Sequence, residues 1–199
     1  MTSVVLASGN AGKLRELEAL LAPIGFTVTA QSAFGIETPP ETGTTFLKNA
    51  LLKARHAARL ADSPALADDS GIEVEALQGR PGIYSARYAG EGATDIENLE
   101  KMLAALHGVP PAKRKARYQC VIVFISEASD PDPVVARGSW EGQITLEPRG
   151  SGGFGYDPIF LPAGFDRTAA ELSAAEKNAV SHRGQALRAL VARLRTQSV

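Results

Sequence analysis

Val4-Val5-Leu6-Ala7-Ser8-Gly9-Asn10-Ala11-Gly12-Lys13-Leu14 is an apolar run that halts at a glycine turn and then changes period. Val4 to Ala7 has the length and branching of a buried strand. From Lys13 to Ala22, Leu14, Leu17, Leu20 and Leu21 recur at helical spacing. Strand, glycine turn and helix are thus set out in the first 22 residues.

The same alternation continues outward. Phe26 to Ala30 is a second, weaker strand, followed by the polar loop Thr38-Pro39-Pro40-Glu41-Thr42-Gly43. Thr45 to Ala61 is a helix with Phe46, Ala50, Ala54 and Ala57 on one stripe. Ala65 to Ala67 and Ile72 to Leu77 are short apolar pieces flanking Asp68-Asp69-Ser70-Gly71, and Asp95 to Leu106 is helical through Ile96, Leu99, Leu103 and Leu106. Tyr118 to Ile125 is the strongest buried strand, suited to the centre of a sheet. Val134 to Trp140, Gln143 to Leu146 and Ile159 to Leu161 read as further strands, and Leu187, Leu190, Val191 and Leu194 mark a closing helix. Strands alternating with helices predict an α/β class.

Composition bounds the function. The 199 residues carry 21 basic and 22 acidic side chains, and 44% are hydrophobic, enough for one core or two joined lobes of a single domain. A net charge of -1 argues against a wide basic face for duplex nucleic acid, which draws on many Lys and Arg contacts to phosphate, but leaves room for a small anion. Cys120 is the one cysteine and lies inside an apolar strand, which makes it a reduced core thiol. With no basic leader before Val4 and no apolar stretch near the roughly 18 residues of a membrane span, the expected location is the cytoplasm.

Several motifs carry chemistry. Ser8, Gly9, Asn10, Ala11, Gly12 and Lys13 close a strand and open a helix, so backbone N–H groups, the positive helix end and the Lys13 ammonium can converge on an anion. An ordinary capping turn uses the same residues. The pattern is not a Walker A loop, which needs Gly six residues before the Lys and Ser or Thr after it, where this chain has Ala7 and Leu14. Gly150, Gly152 and Gly155 satisfy G-x-G-x-x-G but precede Tyr156-Asp157-Pro158 rather than a helix, so a Rossmann reading is rejected. Glycines there let the backbone approach a flat ligand on which Phe154 can stack.

Asp68 and Asp69 between apolar pieces read either as a turn with an Asx cap or as carboxylates compensated by a cation. Glu41 favours the second reading, since few hard oxygen ligands plus substrate phosphates are how Mg²⁺ is held. Asn49 and Lys53, four apart, share a helix face that is equally a solvated stripe on pattern alone. Lys177, His182 and Arg183 flank Ser181 in a segment of poor helical register.

Together, Ser8 to Lys13, Glu41-Thr42-Gly43 with Asn49-Ala50, Asp68-Asp69-Ser70-Gly71, Pro81-Gly82-Ile83-Tyr84-Ser85-Ala86-Arg87, Phe154-Gly155-Tyr156-Asp157-Pro158 and Ser181-His182-Arg183 resemble the inosine/xanthosine triphosphate pyrophosphatase family over nearly the whole chain. That resemblance implies a single pyrophosphatase domain over residues 1–199, an elongated mixed β-sheet with flanking helices forming two lobes around a central cleft. It implies hydrolysis of ITP, dITP and XTP to the monophosphate and pyrophosphate, a house-cleaning reaction using Mg²⁺, in a cytoplasmic homodimer with no nucleic-acid or membrane partner. Carried over, Ser8 to Lys13 hold the triphosphate, and Asp69 is proton acceptor and metal ligand with Glu41. Lys53 and Ser70 touch substrate, while Phe154, Gly155, Tyr156, Asp157, Lys177, His182 and Arg183 form the base pocket. Lys13, Lys53, Lys177 and Arg183 are expected to concentrate positive charge in the cleft. A pyrophosphatase for modified pyrimidines, like the Maf enzymes, and a nucleotide-binding regulator without catalysis are the competing readings; intact Glu41 and Asp69 count against the regulator.

Overall fold

The structure is a computed structural model and describes residues 2–197 of the chain. Among them are the strands β1 (Thr2–Leu6), β2 (Phe26–Ala30), β3 (Ala65–Val74), β4 (Lys115–Ile125), β5 (Val134–Ile144) and β6 (Phe160–Pro162). The α-helices are α1 (Ala11–Leu21), α2 (Phe46–Ala61), α3 (Asp95–Ala105), α4 (Ala174–Val180) and α5 (His182–Gln197). The strands lie side by side in the order β2-β1-β3-β4-β5-β6. β1 runs parallel to β2, with Val4 opposite Val28, and parallel to β3, with Leu6 opposite Leu66, while β6 is antiparallel to β5. The result is a mixed α/β sheet with flanking helices, and the buried strand expected at its centre is β4. No helix among the described residues is long and apolar enough to cross a membrane.

The chain forms two compact units. The first comprises Met1–Asp69, Cys120–Gly138 and Arg183–Val199, and the second Ser70–Gln119 and Ser139–His182. In the first, the period-two alternation of strands sorts the core into two layers. Val4, Leu6, Leu66, Cys120 and Ile122 pack with Leu17 and Leu21 of α1 and with Ala186, Leu187 and Leu190 of α5. Their chain neighbours Val5, Ala7, Ala65, Ala67, Val121 and Val123 pack with Ala50, Ala54, Ala57 and Ala58 of α2. Each fully buried leucine of this kind stabilises the fold by roughly 1.5–3 kcal/mol. In the second unit Ile72, Val74, Leu99, Met102, Leu106, Trp140, Ile144 and Phe160 form one core. There Thr94 caps α3 by accepting the Glu97 N–H while Glu97 accepts the Thr94 N–H, a reciprocal cap that contributes about 1 kcal/mol.

Three local readings are corrected. Asp68 to Gly71 is not a turn but the middle of β3, because partners from other elements compensate the carboxylates and the strand continues through them. The stretches 134–140 and 143–146 are not two strands: β5 runs unbroken to Ile144. Gly142 is a glycine there because a Cβ would lie 2.4 Å from the Leu161 carbonyl oxygen of β6, so it marks a close approach rather than a bend. The poor register around Lys177 to Arg183 has a plain cause. Ser173 caps α4, and the extended backbone of Ser181 ends it before α5 starts afresh at His182.

Candidate active site

Two groups of predicted residues are assembled, one in each unit. In the first unit, β1 delivers Ser8 and α1 begins at Ala11. Asn10 is the helix cap, and its Oδ1 accepts the Lys13 N–H at 3.0 Å, while the Asn10 N–H donates to Ser8 Oγ at 3.3 Å. Gly9, Asn10 and Ala11 are exposed, and Gly12 and Lys13 are half-buried. The loop therefore has both features open at sequence level: a conventional cap and an accessible, glycine-bearing helix start.

Strand alternation decides what Asp68 and Asp69 do. Successive side chains of β3 point to opposite faces, so adjacent carboxylates meet different cations. Asp68 Oδ2 lies 3.1 Å from Lys13 Nζ and 3.4 Å from Arg183 Nη2, and Arg183 also binds Glu16 of α1. Asp69 Oδ1 accepts from Lys53 Nζ at 3.0 Å, and the same ammonium donates to Glu41 Oε1 at 2.8 Å. Asp69 Oδ2 is buried with no hydrogen-bond partner among the described residues.

The electrostatics follow from this division. Burial pushes the Asp69 carboxyl above its ordinary value; Lys53 and Lys13 pull against it and Glu41 adds to the rise. Burial opposes the charge of Lys53, yet Asp69, Asp68 and Glu41 outweigh it and hold the ammonium above its ordinary pKa. For Asp68, burial alone would raise the pKa, but Lys13, Arg183 and Lys53 win and hold the carboxyl well below the usual carboxylate range. Lys53 and Asn49 are buried, at 4% and 0% exposure, so the face they share on α2 is no solvated stripe.

The second unit holds the other group. Asp157 Oδ2 accepts the Phe154 N–H at 2.9 Å and the Lys177 ammonium at 2.6 Å. Lys177 Nζ also stands 4.7 Å above the centre of the Phe154 ring. The Tyr156 hydroxyl donates to the Ser85 carbonyl at 2.8 Å, and the Gly155 N–H donates to Asp95 Oδ2 at 2.7 Å. Burial pushes the Tyr156 hydroxyl well above its usual range, which keeps it a donor. His182 stacks on Tyr118 with centroids 4.6 Å apart and planes 5° off parallel. Ser70, next in the chain to Asp69, is half-buried and belongs to this unit.

Two expectations change. Arg183 is grouped by sequence with Lys177 and His182, but its guanidinium is committed to Asp68 and Glu16 of the first unit. Nor do Lys13, Lys53, Lys177 and Arg183 form a pool of surplus positive charge, since each is paired to a carboxylate. Around β3 the four carboxylates of Glu16, Glu41, Asp68 and Asp69 outnumber the three cations Lys13, Lys53 and Arg183. Residues absent from the motif reading also take part: Glu16 on Arg183, Asp95 on the Gly155 N–H and Tyr118 against His182. Only Glu16 left a local signal, three residues after Lys13 and so on its face of α1.

Among the described residues no three His, Cys, Asp or Glu side chains converge as ligands. The carboxylates of Glu41 and Asp69, the latter with a buried oxygen unpartnered among the described residues, have the chemistry to hold a hard cation that keeps waters and substrate oxygens in its sphere, as Mg²⁺ does.

Comparison with known proteins places these observations. A sequence profile of the Ham1 family matches residues 4–193. The dITP/XTP pyrophosphatase of Shigella flexneri is 57% identical over 195 residues, 98% of this chain and 99% of that protein. That of Escherichia coli strain K12 is 55% identical over the same shares. Among solved structures, a HAM1 protein from Coxiella burnetii superposes with a TM-score of 0.89 at 48% identity, covering 98% of this chain and 100% of that one. The nucleoside-triphosphatase, or dITP/XTP pyrophosphatase, of Mycobacterium abscessus gives 0.75 at 42% identity, covering 95% and 98%.

Proposed function

The chain belongs to the Ham1 family, and from that membership we propose that it hydrolyses noncanonical purine nucleoside triphosphates, ITP, dITP and XTP, to the monophosphate and pyrophosphate. The observation that carries the reading is the Lys53 ammonium held between Glu41 and Asp69, with the second Asp69 oxygen buried and unpartnered. That is a polar site built for a ligand not made of protein.

Glu41 and Asp69 would hold Mg²⁺, which when bound supplies the positive charge that the carboxylate-rich cluster lacks for a triphosphate. Asp69 takes the proton of the water that attacks the α-phosphorus. As the new O–P bond forms, the bond from the α-phosphorus to the bridging oxygen breaks and pyrophosphate leaves with that oxygen. Lys13, on the accessible helix start, stabilises its charge. Lys53 fixes the Asp69 and Glu41 carboxylates relative to one another.

Phe154 offers a ring face to the base, and Lys177 a cation for the oxygen at purine position 6, where adenine carries an amino group. Arg183, committed to Asp68 and Glu16, acts instead by holding the phosphate-side cluster. Guanine shares the oxygen and must be refused through its 2-amino group. One buried unsatisfied donor costs roughly 1–3 kcal/mol, about 5- to 150-fold, so more than one contact is needed against abundant normal nucleotides. A cytoplasmic homodimer completes the proposal: the dimer rests on the family resemblance, and the reducing compartment is supported by the buried free thiol of Cys120. Light scattering tests the dimer.

The deciding experiment is steady-state pyrophosphate release from ITP, XTP, dITP, GTP, ATP and dUTP, with Mg²⁺ and with chelator. Preference for the first three, lost with chelator, is expected. Preference for a pyrimidine, or no release at all, would overturn the assignment.

A further inference from the structure

Asn49 stands one helical turn before Lys53 on α2, and its side chain is wholly buried. Its Oδ1 accepts the N–H of Gly43 at 2.8 Å, two residues beyond Glu41. That backbone donor settles which end of the carboxamide is oxygen, because an N–H needs an acceptor. Contact here is close enough that a Cβ on Gly43 would lie 2.5 Å from Asn49 Oδ1. The other end of the carboxamide, Nδ2, has no hydrogen-bond partner among the described residues. An amide donor buried without an acceptor disfavours folding, and such groups are rare enough in native proteins to need a reason.

Position supplies the reason. Residues four apart on a helix have Cβ atoms about 5–6 Å from one another. Asn49 is therefore the helical neighbour of Lys53, whose ammonium holds Glu41 and Asp69. Asp69 Oδ2 is a second buried orphan, and it is an acceptor. An orphan donor and an orphan acceptor beside one lysine are what a site keeps for a ligand that brings its own oxygens. Capping and loop-holding explain Oδ1 but leave Nδ2 without a role.

We propose that Asn49 belongs to the substrate site, its Nδ2 donating a hydrogen bond to an oxygen of the loaded site, either a phosphate oxygen or the attacking water. Oδ1 meanwhile holds Gly43 and with it the Glu41 loop. The role of that oxygen rests on the pyrophosphatase reading above.

The test compares Asn49→Asp and Asn49→Ala in the full chain, by kinetics on ITP with Mg²⁺ and by the rise in melting temperature given by Mg²⁺ plus pyrophosphate. Asn49→Asp keeps the acceptor for Gly43 and removes the donor; Asn49→Ala removes both and suits a helix flanked by Ala50 and Ala54. Both are expected to lose roughly ten- to a hundredfold in kcat/KM. A phosphate-oxygen partner raises KM and shrinks the pyrophosphate-induced rise, whereas a water partner lowers kcat and leaves the rise intact. Asn49→Asp within about threefold of wild-type kcat/KM overturns the proposal, because the Gly43 clamp then suffices. Should Asn49→Asp not fold, Asn49→Ala decides: a lower melting temperature of the free protein with unchanged kcat/KM and unchanged rise overturns it. Wild-type protein inert toward ITP removes the pyrophosphatase reading instead. In that event equal pyrophosphate-induced rises in wild type and Asn49→Ala overturn the proposal, and a smaller rise in the variant upholds it.

Discussion

Asp68 and Asp69 are consecutive residues of β3, both buried, yet they meet different cations: Asp68 is paired with Lys13 and Arg183, and Asp69 with Lys53, which also holds Glu41. The pleat sends them to opposite faces, so each meets its own cations, and Asp69 is the one for which we propose a part in the chemistry.

Asp69→Asn is the sharpest test of that division. It preserves shape and the Lys53 contact but removes the proton acceptor, and a general base contributes roughly 10²–10⁴-fold to rate. Pyrophosphate release from ITP should fall by about that factor while circular dichroism stays native. Near wild-type turnover would disprove the catalytic role.

Arg183 and Lys13 both reach Asp68, and their removal should differ. Arg183→Gln removes the more buried of the two cations on Asp68 together with the Glu16 contact, leaving Lys13 on Asp68, and should lower the urea midpoint by more than Lys13→Ala does. Lys13 is partly exposed, and Asp68 keeps Arg183 when it is lost. Lys13→Ala should therefore unfold at nearly the wild-type midpoint yet lose at least about tenfold in kcat/KM, and unchanged efficiency would remove Lys13 from the site.

Asp68 also sets a pH dependence. Its pKa is lower in the folded chain than in the unfolded one, so its stabilisation is fully present above about 4 and is lost as pH falls through the folded value. Asp68→Asn should melt below wild type near neutral pH, and the gap should begin to narrow as pH falls below about 4 and go on narrowing as pH drops toward the folded value. Melting curves in chelator across that range check the sign; a gap that widens on acidification contradicts it.

Lys177 is the residue proposed to read the base. With its ammonium on Asp157 and above the Phe154 ring, Lys177→Met should raise KM for ITP and XTP and narrow the preference over ATP by roughly 5- to 150-fold. The nucleotide panel measures this directly, and an unaltered preference would assign base choice elsewhere.

Cys120 should be inert. Burial pushes its thiol up to about 12, with the charge of Asp68 adding to the rise, so the thiolate is scarce near neutral pH. A maleimide should label it only after denaturation, and rapid labelling of native protein would show the strand to open.

Much of this was legible in the chain itself. The spacing of Leu14, Leu17 and Leu21, the alanine stripe of α2 and the apolar run around Cys120 are local patterns, and they placed α1, α2 and β4 closely. The motifs put Glu41 and Asp69 together as metal ligands and Lys53 on the substrate; the direct contacts of Lys53 with both carboxylates, 12 and 16 positions away, come from the structure alone. Asp68 to Gly71 was not legible as strand, because a strand through two carboxylates is unfavourable until distant cations offset the burial. Those cations come from Lys13 at the start of the chain and Arg183 near its end. Arg183 in turn meets Glu16 across 167 residues.

Local periodicity and turn chemistry by themselves determined the α/β class, the order of the main elements and the residue types able to do phosphate chemistry. Only the tertiary structure decided which cation serves which carboxylate, that Arg183 sides with Asp68 rather than with Lys177, and that Asn49 Nδ2 and Asp69 Oδ2 are left without hydrogen-bond partners among the described residues. The reason is physical: periodicity is a property of neighbours, whereas the cost of burying a charge is settled by whatever group folding brings beside it.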